Sequence, residues 1–575
     1  MTMPTFLNLK RNLRKDMAHL PQCNVAILGD CATQHIAIAL GGWGYDAGLR
    51  YCILDTDYNQ IDAQTMDPTS ELYQFAPEYC VIANCTDKLY EAYCDFPQDR
   101  RCDFAQQMCQ RMVAVWERIH AQRSTRLLQF NFPAWDDRVF GDFAAKTTDS
   151  FLYQLRKLNF LLAESCAQHK NVFLVDIDGL QSRLGEAQVR DAKMYCIAKM
   201  PFRTDFLPYI ARQITDTILC ARGSFKKCVV LDLDNTLWGG VIGDDGLDGI
   251  QIGELGLGHA FSAFQLWLKE LKNRGILLCV CSKNNEDTAK EPFEKHPEMV
   301  LKLEDISVFV ANWEDKAGNI RHIQQTLNIG MDSFVFLDDN PFEREAVRSL
   351  IPGITVPELP ENPEEYVDFL RSLNLFETVS FSQEDRVRTQ QYQAEAQRVS
   401  LQSQCADYDA YLQSLEMVAE AKAFDSFHFP RIAQLTQRSN QFNLRTVRYT
   451  EQEIAAIAAD DRFVTLYFTL RDKFGDHGLI SAVIMEKQAD RLFVNTWLMS
   501  CRVLKRGMEE FIVNKMLSEA ARLGFATVEG EYLKTPKNAM VANIYEKLGF
   551  TPAQNGRFLA ETAAFIPNKT HITEE

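Results

Sequence analysis

The sequence predicts an α/β protein of several domains, organised around a central parallel sheet. Three observations predict it. The chain has 575 residues, too many for one ordinary core. Short apolar runs of strand length stop abruptly at Asp, Ser or Gly and alternate with stretches of helical periodicity. Hydrophobic residues make up 46% and charged residues 24%, the balance of a globular chain rather than a disordered one. The expected divisions are an α/β domain at 1–220, a parallel-sheet core at 221–375, a helical linker at 376–416 and an α+β domain at 417–575.

In the first region the strands fall at 24–31, 79–83, 126–130 and 172–176, with helical patterns at 104–120 and 151–168 between them. Gly29-Asp30-Cys31 follows the first strand as a tight turn. This turn weakly resembles the first block of SGNH hydrolases, with Cys in place of Ser, and Asn131 is a candidate for a later block. The resemblance implies an Asp-x-x-His near the end of the domain, but Asp191-Ala192-Lys193-Met194 has no histidine. A cysteine without a base is a poorly activated nucleophile, so the expectation is a docking or scaffold role.

The core carries the chemistry. Val229-Val230-Leu231-Asp232-Leu233-Asp234-Asn235-Thr236 is an apolar strand that delivers two acids, two residues apart, at its end. Side chains so spaced on a strand share a face. One carboxylate can attack phosphorus while the other moves the proton. The bland alternative is a strand end with an Asx turn. A carboxylate attacking a phosphate needs a divalent cation and fixed positive charge to offset the repulsion between anions. Later strand ends supply the parts: Ser282 after 276–281, Lys316 after 306–310, and Asp338-Asp339 after 334–337. The helix expected at 261–274 closes at Gly275. A Gly-rich stretch at 244–258 reads equally as a lid or as a hairpin turn.

These four blocks, in this order, resemble the haloacid-dehalogenase superfamily. The resemblance implies Asp232 as nucleophile, Asp234 as general acid/base, Ser282 and Lys316 as phosphate ligands, and Mg²⁺ held by Asp232, Asp234 (through its main-chain carbonyl), Asp338 and Asp339. Leu237-Trp238-Gly239-Gly240-Val241-Ile242-Gly243-Asp244 and Leu337-Asp338-Asp339-Asn340-Pro341-Phe342-Glu343-Arg344 resemble the FkbH-like branch. So do Gln434-Leu435-Thr436-Gln437-Arg438-Ser439-Asn440-Gln441-Phe442-Asn443-Leu444 and Ser500-Cys501-Arg502-Val503-Leu504. That branch implies a glyceryl transferase/phosphatase. It takes a phosphoglyceryl group from 1,3-bisphosphoglycerate onto a thiol, removes the phosphate, and passes glyceryl to the phosphopantetheine arm of an acyl carrier protein. Two other readings stay open: a simple phosphatase on a small phosphate ester, and a non-catalytic carrier-protein module.

The last region resembles the GNAT acetyltransferase fold, with strands at 464–468, 478–484 and 491–499 and a turn at 474–478. Arg502, Lys505, Arg506 and Gly507 stand where that fold's anion-binding loop opens a helix, with Lys505 replacing a glycine. Asn543-Ile544-Tyr545-Glu546-Lys547-Leu548-Gly549-Phe550 resembles its closing helix. Cys501, just before the loop, is the expected thioester thiol, since a helix N-terminus and Arg502 favour a thiolate. A buried strand-end thiol is its equal alternative. In the linker, Arg386, Arg388 and Arg398 form either a basic face toward a partner or a solvated helix face.

The net charge of −17 argues against nonspecific nucleic-acid binding. It also requires that docking of an acidic carrier protein use a local basic patch. No apolar run reaches the length of a membrane span, and the 16 cysteines show no disulfide or paired CxxC spacing. The expected location is a reducing cytoplasm.

Overall fold

The computed structural model describes residues 3–381, 398, 401 and 407–575. Two compact units emerge, Met1–Cys220 and Ala221–Glu575. Among the described residues, no helix is long and apolar enough to cross a membrane.

The first unit is a five-stranded parallel sheet in the order β2-β1-β3-β4-β5. Its strands are β1 (Gln22–Gly29), β2 (Arg50–Asp55), β3 (Tyr79–Ala83), β4 (Arg126–Phe130) and β5 (Val172–Val175). β1, β3 and β4 read as near-continuous apolar runs because both faces are covered, the usual case for parallel strands. Helices Phe104–Gln122 and Phe151–Gln168 pack Trp116, Leu155 and Leu158 against one face. Ser150 caps the second of these helices through the Tyr153 amide at 3.2 Å. Chain order reverses between β1 and β3, so the carboxyl ends of these two neighbours border the crevice where ligands of open α/β sheets sit.

The second unit holds two sheets. The first is a parallel sheet in the order β8-β7-β6-β9: β6 (Cys228–Leu231), β7 (Leu277–Ser282), β8 (Ile306–Ala311) and β9 (Phe334–Leu337). Register pairs Leu231 with Val280 and with Leu337, so the ends of β6, β7 and β9 arrive at one edge. The helix Gly256–Asn273 buries Phe261, Phe264 and Leu268 on this sheet. It starts within the Gly-rich stretch, so 256–258 form its first turn, while Gly239 and Gln251 pair antiparallel across the loop before it.

The final sheet has eight strands in the order β15-β16-β14-β13-β12-β11-β10-β17. They are β10 (Val418–Lys422), β11 (Phe463–Asp472), β12 (Gly475–Lys487), β13 (Arg491–Met499), β14 (Thr527–Glu531), β15 (Thr551–Pro552), β16 (Arg557–Glu561) and β17 (Thr573–Glu574). The β11–β12 turn is tighter than expected, which places His477 inside β12. β13 and β14 are parallel but pair only over Arg491–Phe493. Beyond that, the chain inserts its own segment. The Met499 amide donates to the Phe442 carbonyl (3.1 Å), the Leu444 amide to the Trp497 carbonyl (3.3 Å) and the Leu533 amide to the Leu444 carbonyl (2.9 Å).

Arg386 and Arg388 lie outside the described residues. Arg398 forms no partner-facing surface. It is 1% exposed and holds the Asp472 carboxylate with two hydrogen bonds of 2.7 Å. Its long stem and fork match an internal acid better than water does.

Candidate active site

Strand termination places the first acid. The Asp232 amide still donates to the Leu337 carbonyl (3.0 Å), completing the ladder, and the chain then turns through Asn235, whose φ of 53° is left-handed. Asp338 and Asp339 leave β9 beside it. One carboxylate oxygen from each of Asp232, Asp338 and Asp339 lies within 4.8 Å of the other two. Lys316, at the start of the helix Lys316–Leu327, reaches between them. Its ammonium contacts Asp338 Oδ2 at 2.5 Å and Asp232 Oδ2 at 2.9 Å. Asp315 positions that helix start by capping the Gly318 amide at 2.7 Å.

Electrostatics follow from burial. Asp338 is fully buried; desolvation and the neighbouring Asp232 charge push its carboxyl up to about 6. Burial and Asp232 raise Asp339 as well. Burial alone would lower Lys316, but Asp232 and Asp338 outweigh it and hold the ammonium above its ordinary range. Three carboxylates therefore face one ammonium, and Asp232 Oδ1 is buried with no hydrogen-bond partner. An orphaned anionic oxygen in an excess of negative charge is costly unless a cation joins it. An all-oxygen set of this kind suits Mg²⁺.

Asp234 stands apart from this cluster and is held differently. Its Oδ1 accepts from Trp238 Nε1 (2.9 Å) and from the Ile242 amide (3.0 Å), and its Oδ2 accepts from Asn284 Nδ2 (3.1 Å). Burial raises its carboxyl despite these donors, which favour the ionised form. Ser282 ends β7, 2% exposed, beside the same edge.

Several contributors escaped the sequence reading, although Thr236, Trp238 and Arg344 stand in its quoted blocks. Arg344 donates to the carbonyls of Asp338 (2.8 Å) and Asp339 (2.6 Å), locking the turn that presents both acids. The Thr236 hydroxyl bonds Asp339. Trp238 and Asn284 aim Asp234. Polar side chains flanking an apolar strand end were the available signal.

Cys501 is not brought to this edge. It opens a short turn, Cys501–Val503, and its carbonyl accepts from Asn328 Nδ2 at 2.7 Å. It lines a cavity of about 220 Å³ with Lys227 and Leu277, which stand at the starts of β6 and β7, whereas the acids stand at the strand ends. Lys227 and Asp232 are thus separated by about 16 Å of extended chain. Cys281 is nearer, but it is buried, its thiol is pushed up to about 12 by desolvation, and it leans on the Lys316 carbonyl (3.7 Å).

The loop of Arg502, Lys505, Arg506 and Gly507 opens the helix Met508–Arg522, with Gly507 left-handed at φ 82°. The Lys505 amide donates to Glu509 Oε1 at 3.0 Å. Arg506 turns inward to His477 (3.3 Å) and Asp472 (3.7 Å), and Arg502 to Ser500 (3.3 Å). Both guanidiniums are nearly buried, and Arg502 also lines the cavity that holds Cys501.

In the amino-terminal unit, Asn131 bonds Asp176 (2.7 Å) rather than the Gly29-Asp30-Cys31 turn. Asn84 takes that place, donating to Asp30 Oδ2 at 2.9 Å.

Strand order, the carboxylate edge and the buried lysine define a protein of the haloacid-dehalogenase type. A family model described as "FkbH, N-terminal domain" matches residues 24–219. A crystal structure of the amino-terminal part of the protein BF1531 from Bacteroides fragilis, containing a phosphatase domain complexed with Mg, is 48% identical to this chain. The match covers 66% of this chain and 100% of that one, with a TM-score of 0.63. The chain belongs to the FkbH-like family. The ribosomal-protein-S18-alanine N-acetyltransferase of Escherichia coli is 16% identical over 26% of this chain and 99% of its own, with a TM-score of 0.20. Spermidine N-acetyltransferase of Vibrio cholerae is 14% identical over 26% and 96%, also at 0.20. No curated protein matches the chain.

Proposed function

We propose that the protein is an Mg²⁺-dependent phosphatase that uses Asp232 as its nucleophile on a small acyl phosphate or phosphate ester. The observation that carries this reading is the three-carboxylate, one-lysine edge with an orphaned Asp232 oxygen. The kinship with a phosphatase domain solved with Mg supports it.

Asp232, Asp338 and Asp339 would hold Mg²⁺, which when bound offsets their charge and that of the phosphoryl oxygens. The Asp232 carboxylate attacks phosphorus, the P–O bond to the leaving group breaks, and Asp234 gives that oxygen a proton. Asp234, now ionised, takes a proton from water as the water attacks the aspartyl-phosphate, releasing phosphate and restoring Asp232. Lys316 and Ser282 hold the phosphoryl oxygens while charge spreads over them. Trp238, the Ile242 amide and Asn284 keep the Asp234 carboxylate oriented between the two proton transfers.

A second reading adds glyceryl transfer from 1,3-bisphosphoglycerate to an acyl carrier protein. The family match over 24–219 favours it. No thiol among the described residues joins the acid edge. In this reading the acceptor is therefore the carrier's own phosphopantetheine thiolate. It attacks the acyl carbon, a C–S bond forms, and the acyl C–O bond to phosphate breaks, leaving a 3-phosphoglyceryl thioester whose 3-phosphate the Asp232 edge then hydrolyses to give the glyceryl carrier.

The test is phosphate release with and without Mg²⁺, in the wild type and in Asp232→Asn. Mg²⁺-dependent release that Asp232→Asn abolishes supports the phosphatase; equal release by both proteins refutes it. Weighing a holo carrier protein after incubation with 1,3-bisphosphoglycerate separates the second reading. A mass gain of one glyceryl unit, dependent on this protein, supports transfer.

A further inference from the structure

The amino-terminal sheet has a strand-end cluster that the phosphatase reading does not use. Asp30 and Cys31 follow β1, and Cys85 follows β3, its neighbour in the sheet. Gly29 pairs with Ala83, so Cys31 and Cys85 each lie two residues beyond the same rung of the ladder. One carboxylate oxygen of Asp30 and the two sulfurs lie within 4.8 Å of one another. Both cysteines are 1% exposed, and Tyr195 packs over them. The Asp30 carboxylate is fixed by Asn84 Nδ2 and by the Cys85 amide, each at 2.9 Å.

Three independent features make this a place for a ligand. The cluster stands at the point where strand order reverses, the crevice that open α/β sheets use for binding. Two helices begin on it: Thr86–Cys94 has Cys85 as its N-cap, and Gln34–Asp46 starts just after Cys31. In the first of these helices the Lys88 amide, in the first turn, reaches the Cys85 sulfur, where the positive helix end favours a thiolate. The Lys88 ammonium, paired with Glu91 at 3.1 Å, adds a weaker attraction to Asp30. The donor types then choose the ligand. Two sulfurs and one carboxylate are a soft set with a borderline partner, which selects Zn²⁺ over Mg²⁺ or Ca²⁺.

We propose that Asp30, Cys31 and Cys85 form a zinc site, held by two thiolates and one carboxylate. As each Zn–S bond forms, the S–H bond breaks and its proton leaves to solvent. Binding thus releases two protons and leaves one net negative charge, facing the two helix starts and Lys88. The site carries no role in the phosphatase step. A hydrolase-like turn that lacks its histidine base instead presents metal ligands, which accounts for cysteine where a serine would serve a hydrolase.

Cobalt tests this, because thiolate–Co²⁺ charge transfer absorbs strongly in the near ultraviolet whereas oxygen ligation at the Asp232 edge does not. The full chain, reduced and stripped of metal, is titrated with Co²⁺ in excess Mg²⁺. The expected result is a thiolate band that saturates at one Co²⁺ per chain, with two protons released per ion. Cys31→Ser and Cys85→Ser should each weaken binding tenfold or more and cut the band by about half. Asp30→Asn, which keeps both thiols, should weaken binding while retaining the band, and Asp232→Asn should leave it intact. Circular dichroism and phosphate release confirm that the variants are folded. A wild-type chain without the band, a band that survives in both serine variants, or a Cys31–Cys85 disulfide that persists under reductant would overturn the proposal.

Discussion

The two parallel sheets end in two different clusters, and the contrast shows how one architecture sorts chemistry by side chain. At the β1/β3 edge, two thiols and one acid meet two helix starts. At the β6/β9 edge, three acids meet a buried ammonium. Both edges gather residues from neighbouring parallel strands, because parallel register brings sequence-distant strand ends together. Thiols in a dry crevice stay protonated until a metal displaces the protons. Carboxylates 2.5 and 2.9 Å from one lysine still repel one another unless a further cation intervenes. The second edge is therefore poised for phosphoryl chemistry, and the first for holding a soft ion.

The largest effect tests the acid edge directly. Asp232→Asn keeps the shape but removes the nucleophile, and phosphate release should fall by roughly 10³-fold or more. A smaller loss would erase the distinction between the two edges. Next, Lys316→Met should leave Asp232 and Asp338 facing each other in the dry interior. The expected cost is about 3–5 kcal/mol of stability, read as the denaturation midpoint of the metal-free chain. Excess Mg²⁺ should restore part of it, while Zn²⁺ at the other edge should not.

A finer test concerns orientation. Trp238→Phe removes one donor to Asp234 and should lower kcat about fivefold with KM little changed, reflecting about 1 kcal/mol for one hydrogen bond. Loss of fold without loss of this donor's effect is checked by circular dichroism.

The smallest effect lies away from both edges, where buried charge is neutralised without ligands. Burial, with the guanidiniums of Arg506 and Arg398, pushes His477 down to about 4, although Asp472 bonds it at 3.1 Å. Its folded value lies below its ordinary 6.5, so its contribution to stability is complete above pH 6.5 and drains away as pH falls toward 4. Glu509 runs the other way. Burial lifts its carboxyl to about 7, so its contribution is complete below pH 4.5 and is lost as pH rises through 7. Glu509→Gln should therefore raise Tm by a few degrees at pH 8 and leave it nearly unchanged at pH 4. His477→Gln should flatten the acid side instead.

Much of this was legible in the chain. The apolar run ending at Asp232 and Asp234, and its partners at Ser282, Lys316 and Asp338, announce themselves because strand ends in a parallel sheet face one edge. The contributors that aim them were not legible. Trp238 reaches back four residues to Asp234, and Arg344 clamps two carbonyls, through contacts that depend on how each turn closes. Arg398 reads as surface until Asp472 is found beside it. That Cys501 lies on a cavity beside the starts of β6 and β7, away from the acid edge, was not legible, because local signals cannot tell one end of a strand from the other across a sheet.

Local physics within the sequence determined the elements and the residue types at their ends: apolar runs make strands, and the polar residues that stop them carry the chemistry. The tertiary structure alone decided which ends share a crevice. Register set Asp232 beside Asp338, strand order set Cys31 beside Cys85, and the segment around Phe442 took up the gap between β13 and β14. Those pairings are long-range, so they arise from the packing of whole sheets and not from any stretch of chain taken alone.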